Sequence, residues 1–395
     1  MKKSILTCAI ATLLSFNVQA NNEPGAIRTE SGFIVTPLLD LGLKHDDNIY
    51  SRSSDETSSA IFTVDPSVNF LLDDGVNSYT IDVGILSGFY SEDSTDNFVD
   101  GFLGLGGHFE PSSKSRFDIN LDANWTTEQR GTGLTEGTGN TVDKPIRYAE
   151  QTLSGEYEYG SKSAFGRLAV MAEYYNKDYL NYKEQTQYRN LEHVMLGGKF
   201  IYNTQSGSDA FVELKNTAVN YDVTNPNELS RDSNDINASV GIEWEATALT
   251  SGSAKIGYEE KEFDDSGRAK HSGISWEVGV TWQPLTYSSL DFTTSKSADE
   301  TLTEGDFIDA TTLGVAWTHD WNDRVSSQLA VDYSDEKYVG INRDDSELTL
   351  TAAIDYQMLR WVGFNFYIEI VDKDSTNDNI YFDKNVVGVN TRLSL

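Results

Sequence analysis

The chain has 395 residues, with 30 Lys and Arg against 62 Asp and Glu and a formal net charge of −32 at pH 7. A surface that acidic repels a polyanion, which excludes nucleic acid as a partner. With 20 Tyr, 18 Phe and 7 Trp the chain is too aromatic to be an acidic disordered polymer, so something folded presents these acids to water.

The first element in chain order is Lys2 and Lys3, an apolar run over 5–18, and Val18-Gln19-Ala20, where small residues stand at the positions a signal peptidase reads. Residues 1–20 are expected to be a Sec-type secretory signal and 21–395 a single domain. The only cysteine, Cys8, leaves with the signal, so the mature chain would have neither disulfides nor thiolate metal sites. Loss of the two lysines takes the mature charge to about −34.

After the signal no stretch approaches the ~20 apolar residues of a spanning helix. Period two dominates instead. Apolar residues take alternate positions at Phe33, Val35, Pro37, Leu39, Leu41 and Leu43, again from Ala60 to Leu72, from Tyr79 to Phe89, and at Phe117, Ile119, Leu121, Ala123 and Trp125. The second half repeats the pattern from Ile236 to Trp244, Ile274 to Trp282, Val325 to Tyr333, Leu348 to Tyr356 and Val362 to Ile370. Nine to eleven such residues suit one tilted transmembrane strand. Fainter strands start near Val99, Ala149, Ala164, Val194, Ala210, Ala254, Leu290 and Thr311, and the last runs from Val387 to Leu395.

The pattern predicts an all-β fold, a transmembrane antiparallel up-and-down barrel of about eighteen strands, sixteen being the alternative count. Short turns are expected at 73–75, 111–113, 160–162, 283–285, 322–324 and 359–360, and long acidic outer loops at 45–58, 127–145, 175–190, 222–234, 263–272, 297–306, 335–345 and 372–380. A soluble β-sandwich would have little reason to keep every second connection long. Trp125, Trp244, Trp282, Trp317, Trp361, Tyr333 and Tyr356 gather at strand ends, as interfacial girdles do.

With the apolar set facing lipid, the intervening set faces a lumen. It contains Asp118, Asp122, Glu243, Glu259, Glu277, Asp332, Glu347, Asp355 and Glu369, with fewer bases such as Arg167, Lys255 and Arg392. So acidic a lumen is expected to be wet and to favour small cations. Tyr90 and Tyr367 also fall on this face, as wall fillers.

No catalytic constellation emerges. His45, His108, His193, His271 and His319 are scattered without metal-ligand spacing, and no nucleophile motif surrounds His271-Ser272. The 372–378 stretch offers oxygen ligands for Ca²⁺ but lacks the Gly and terminal Glu of an EF loop. Gly104, Gly106 and Gly107 sit inside an alternating strand, where glycine relieves crowding. The expectation is a channel, not an enzyme, with no cofactor and no metal.

Three segments carry a resemblance: the acidic "DDNIY" after the first strand, followed by "VDPSVNF" and a "DDG" turn; "WQPLTYSSLDF"; and the closing "NVVGVNTRLSL". Together they resemble the outer-membrane β-barrel porin family found in exopolysaccharide and capsule gene clusters, over most of the mature chain. The resemblance implies an eighteen-stranded barrel that conducts a polysaccharide cargo across the outer membrane, completed by a periplasmic polysaccharide-export protein and seated in lipid and lipopolysaccharide. On this reading Tyr90 and Tyr367 would stack on sugar faces; a general or substrate-selective diffusion porin preferring cations is the alternative, with 127–145 as the loop that constricts it, and a structural or adhesive surface barrel is a third. Asp47, Asn48, Ile49 and Tyr50 are expected at the rim, Asn48 capping backbone groups and Tyr50 packing on the wall, where the first strand meets the last.

Overall fold

Asp74 illustrates how the chain reverses. Its Oδ1 accepts the amides of Val76 (2.9 Å) and Asn77 (2.6 Å), and Gly75 takes a φ of +87° that a side chain would resist. Those amides, that of Asn77 first, hold the Asp74 carboxyl below the usual carboxylate range.

In the computed structural model, which describes residues 25–138, 142–247 and 249–394, such turns alternate with longer connections between antiparallel strands. A two-residue strand, β1 (Ile27–Arg28), precedes β2 (Ile34–Asp46), β3 (Ser59–Asp73), β4 (Ser78–Tyr90), β5 (Phe98–Ser112), β6 (Ser115–Glu128) and β7 (Ile146–Tyr159). Then follow β8 (Gly166–Tyr179), β9 (Leu191–Asn203), β10 (Ser208–Tyr221), β11 (Ser233–Thr247), β12 (Thr250–Phe263) and β13 (His271–Leu285). The last six are β14 (Ser288–Asp299), β15 (Phe307–Asn322), β16 (Val325–Val339), β17 (Arg343–Leu359), β18 (Val362–Ser375) and β19 (Phe382–Ser394). Each long strand pairs with its sequence neighbours, and β19 returns to β2 with Val386 opposite Asp46 and Ser394 opposite Leu38. β2 to β19 therefore form a closed eighteen-stranded barrel, to which β1 adds a short pairing on β2. Closure leaves no open edge whose backbone groups lipid could not satisfy.

Alternation decides which face is greasy. Leu43, Val99, Leu168, Leu196, Val240, Ile274 and Phe366 lie on the outer surface, Leu196 with 61% of its surface accessible. A belt of large apolar side chains around the whole circumference is what a lipid-facing wall requires. At the short-turn end, Trp317 and Trp321 flank His319 on this outer face, with ring centroids 5.4 and 4.4 Å from it. Most short-turn ends carry a register shift, as between Trp282 and Leu285 or Gln357 and Leu359, the local twist that barrel rims commonly use.

Three expected boundaries are corrected. Residues 335–345 are not a long loop: β16 runs to Val339, β17 starts at Arg343, and a three-residue turn with Gly340 at φ +92° joins them. The 283–285 stretch belongs to β13, and the turn falls at 286–287. The 91–97 connection, not foreseen as an outer loop, contains a 3₁₀ turn capped by Asp93. One cause covers the first: strands reach 17 residues, longer than lipid demands, so their outer ends are polar on both faces and read as loop. The signal expected at 1–20 lies outside the described residues.

Candidate channel lumen and mouth

The face opposite the apolar belt lines the interior, and the register decides which side chains meet there. Glu243 receives Lys199 Nζ at 2.5 Å, Glu277 lies 2.8 Å from Lys255 Nζ, and Glu259 lies 3.2 Å from His271 Nε2. Lys261, 3% exposed, is held between Asp235 (2.9 Å) and Glu300. Arg167 reaches both Glu158 and Asp209, the latter at 2.6 Å. Lys215, Asp235, Lys255, Glu259, Lys261 and Glu277 border a recess of about 380 Å³ in this wall.

The other anticipated acids are placed differently. Asp118 pairs with His108 Nδ1 at 2.6 Å, and Asp355 accepts Asn365 Nδ2 at 2.9 Å. Asp122, Asp332, Glu347 and Glu369 face inward without an ion pair among the described residues. Tyr90 meets Phe98 edge-on at a centroid distance of 6.4 Å, and the Tyr367 ring covers Gly388, where a Cβ would collide with it. Asp372 and Asp374 fall in β18 on its outer face, apart from Asn377 and Asp378 in the turn.

At the outer end the loops are tied together by arginines. Arg130 donates to both carboxylate oxygens of Asp96 (2.7 Å each) and to Asp93 (2.8 Å), and its guanidinium lies over the Tyr50 ring, 4.5 Å from the centroid. Tyr50 donates to Asp96 at 2.8 Å, and burial together with that carboxylate pushes the phenol up to about 12. Arg189 donates to the carbonyls of Leu302 and Thr303 (2.7 Å each), and Arg268 to those of Ser230 (2.6 Å) and Leu229 (2.7 Å) and to Asp306. Burial pushes the Glu228 carboxyl up, but Arg189 and Arg231 together outweigh it and hold Glu228 below the usual range.

Residues 129–138, which follow β6, reach the far side of β2. Glu136 receives Lys373 Nζ at 2.5 Å and Arg343 Nη2 at 2.6 Å, on β18 and β17, and Gly137 rests against Asn379 and Ile380. Five strands, β19 and β2 to β5, lie between β18 and β6 around the ring. The loop therefore spans an arc of the mouth instead of standing clear of it.

The rim tetrapeptide sits at the closing seam. Asn48 is completely buried; its Nδ2 donates to the carbonyls of Arg52 (2.8 Å) and of Asp383 in β19 (2.9 Å), and its Oδ1 accepts Arg52 N. Asp47 accepts the backbone and side-chain nitrogens of Asn385 at 2.7 and 2.8 Å. Ile49 is buried and its amide donates to Thr57. Lower in the same seam Arg392 makes a two-pronged pair with Asp40 at 2.8 Å on each arm.

Several lumen residues escaped the sequence reading. Lys199, Lys215 and Lys261 stand at inward positions of strands whose alternation is faint in the sequence, that of 210–221 with Lys215 faintest of all, and this hid them. Phe98 and Phe102 lie off the apolar phase of Val99, Leu103 and Leu105, and that anomaly is their signal. Nothing local marks Glu136, whose partners are more than 200 residues away in sequence.

A family model described as "Putative beta-barrel porin 2" matches residues 28–395. No curated protein matches the sequence. Among solved structures the chain is similar to OccK2 (OpdF) of Pseudomonas aeruginosa, with a TM-score of 0.51 and 11% identity over 94% of this chain and 100% of that one. It is also similar to a BenF-like porin of Pseudomonas fluorescens Pf-5, with a TM-score of 0.50 and 10% identity over 91% and 99% of the two chains. At such identities the likeness is one of fold.

Proposed function

The chain belongs to the beta-barrel porin 2 family, an outer-membrane β-barrel of porin type, and from that premise we propose that it is a selective diffusion channel for small polar solutes. The observation that carries this reading is the 129–138 segment, held over the mouth by Glu136 on Arg343 and Lys373. A narrowed, charged mouth sieves small solutes, whereas an open bore would not discriminate. The excess of inward carboxylates over bases gives the channel a cation preference.

In planar bilayers the purified chain alone is expected to conduct ions, and Glu136→Gln to raise the open-channel conductance by releasing the loop. Absence of conductance in the wild type would sink this reading.

Export of a polysaccharide with a periplasmic partner is the second reading. It is favoured by the sequence resemblance and by the inward rings of Tyr90 and Tyr367. Loss of surface polysaccharide on deletion, with intact lipopolysaccharide, would bring it to the front.

A further inference from the structure

Rings interrupt the polar character of the lumen on one stretch of wall. Phe98 and Phe102 are four residues apart on β5, both on its inward face, which sets them ~13 Å apart along the strand. Each lies over a glycine of β4: a Cβ on Gly88 would fall within the Phe98 ring, and one on Gly84 within the Phe102 ring. Tyr90 extends the series at its outer end through its edge-on contact with Phe98. Because glycine lies beneath, the rings rest on backbone and leave the opposite face toward the lumen; Phe102 is 36% exposed.

Carboxylates interleave with the rings. Asp100 lies between Phe98 and Phe102 on the same face, and one step below Phe102 the register sets Gly104 between Asp82 and Asp122. None of the three takes part in an ion pair among the described residues, in contrast to the wall across the lumen. Asp82 accepts Asn69 Nδ2 at 2.6 Å, and Asp100 is hydrogen-bonded by Thr127.

Flat apolar faces alternating with carboxylates that have no cationic partner match the surface of a pyranose, which has C–H groups on its faces and hydroxyl donors around its edge. The sign of the wall selects among sugars: an anionic one would meet uncompensated carboxylates, whereas a neutral one brings only donors. We propose that Tyr90, Phe98 and Phe102, with Asp82, Asp100 and Asp122, form a binding track for neutral pyranose units. This rests on the channel reading of the same lumen and names its substrate class. Several weak contacts in series let a sugar advance without being trapped.

The test is block of ion current through single wild-type channels by maltohexaose, a neutral glucose oligomer, with a galacturonic acid oligomer as the anionic comparison. Maltohexaose should block at lower concentration than the acidic oligomer. Phe98→Ala with Phe102→Ala should weaken the maltohexaose block by about tenfold. Phe98→Leu with Phe102→Leu, which keeps the bulk and loses the flat faces, should weaken it comparably, and the double Tyr variant should retain it. An ion current that maltohexaose leaves untouched, or Leu variants blocked like wild type, would overturn the track while leaving the channel. If no ion current appears, the channel reading falls, and calorimetric titration of the detergent-solubilised barrel with maltohexaose decides the track alone: saturable binding lost in the Leu variants supports it, and no binding overturns it.

Discussion

Two arcs of the lumen wall treat charge in opposite ways. From β7 to β13 most inward carboxylates are matched, Glu158 by Arg167, Glu243 by Lys199, Glu277 by Lys255 and Asp235 by Lys261, while Glu150 is met by the neutral donors Asn124 and Tyr175. From β16 through the seam to β6, Asp82, Asp100, Asp122, Asp332 and Glu369 have no ion-pair partner among the described residues, while Asp345 with Arg343, Asp46 with Lys384, Asp40 with Arg392 and Asp118 with His108 are paired there. Matched charges cross-link neighbouring strands and neutralise the wall, so that arc holds shape. Bare carboxylates hold little together and leave their field and acceptors to whatever enters the lumen. The contrast separates scaffold from working surface within one barrel.

Breaking the matched arc at its most buried point should have the largest effect. Lys261→Met leaves Asp235 and Glu300 facing each other without their shared cation, and should lower the unfolding free energy by about 3 kcal/mol. Urea unfolding of the lipid-reconstituted barrel measures it; a change within experimental error would erase the distinction between the arcs.

The seam comes next. Asn48→Ala with Tyr50→Ala removes the hydrogen bonds to Asp383 and Asp96 and should cost about 2 kcal/mol, seen as a lower temperature of heat modification on gels. An unchanged profile with lost transport would instead make the tetrapeptide part of the working rim.

Neutralising the bare arc should leave stability alone and change selectivity. Asp82→Asn, Asp100→Asn and Asp122→Asn together should reduce the K⁺ over Cl⁻ permeability ratio by roughly twofold to threefold, read from the reversal potential in a KCl gradient. A triple variant that melts early with unaltered selectivity would place these acids among the scaffold.

The smallest effect is one of pH. Glu228 is held below its ordinary value in the folded chain, so its contribution is fully present above the unfolded value of about 4.3 and fades as the pH falls through the lower folded value. The loops joined by Arg189 and Arg231 should then loosen in acid, giving faster proteolysis there below about pH 4 in the wild type. Glu228→Gln should show that susceptibility already at pH 7; equal cleavage of both proteins at pH 7 would remove Glu228 from the brace.

Much of this was legible before any coordinates. The alternation from Ile236 to Trp244 or from Val362 to Ile370 states which side chains meet lipid, because a strand's faces repeat every two residues whatever it pairs with. Turn chemistry at Asp73-Asp74-Gly75 is equally local. The strand count and the closing of the last strand on the first follow from these patterns. The outer boundaries failed where polar strand ends such as Asp335 and Asp344 mimic loop.

The sequence by itself determined the strands, the lipid-facing belt and the polar lumen, since each is set by a residue and its neighbours two positions away. Tertiary structure alone decided which inward charges cancel. Lys199 and Glu243 lie 44 residues apart and meet only through the register of three strands, while Glu136 reaches Lys373 across 237 residues because the barrel closes and the loop spans its mouth. Local periodicity assigns a side chain to a face, but its electrostatic partners depend on register and closure, which are properties of the whole ring.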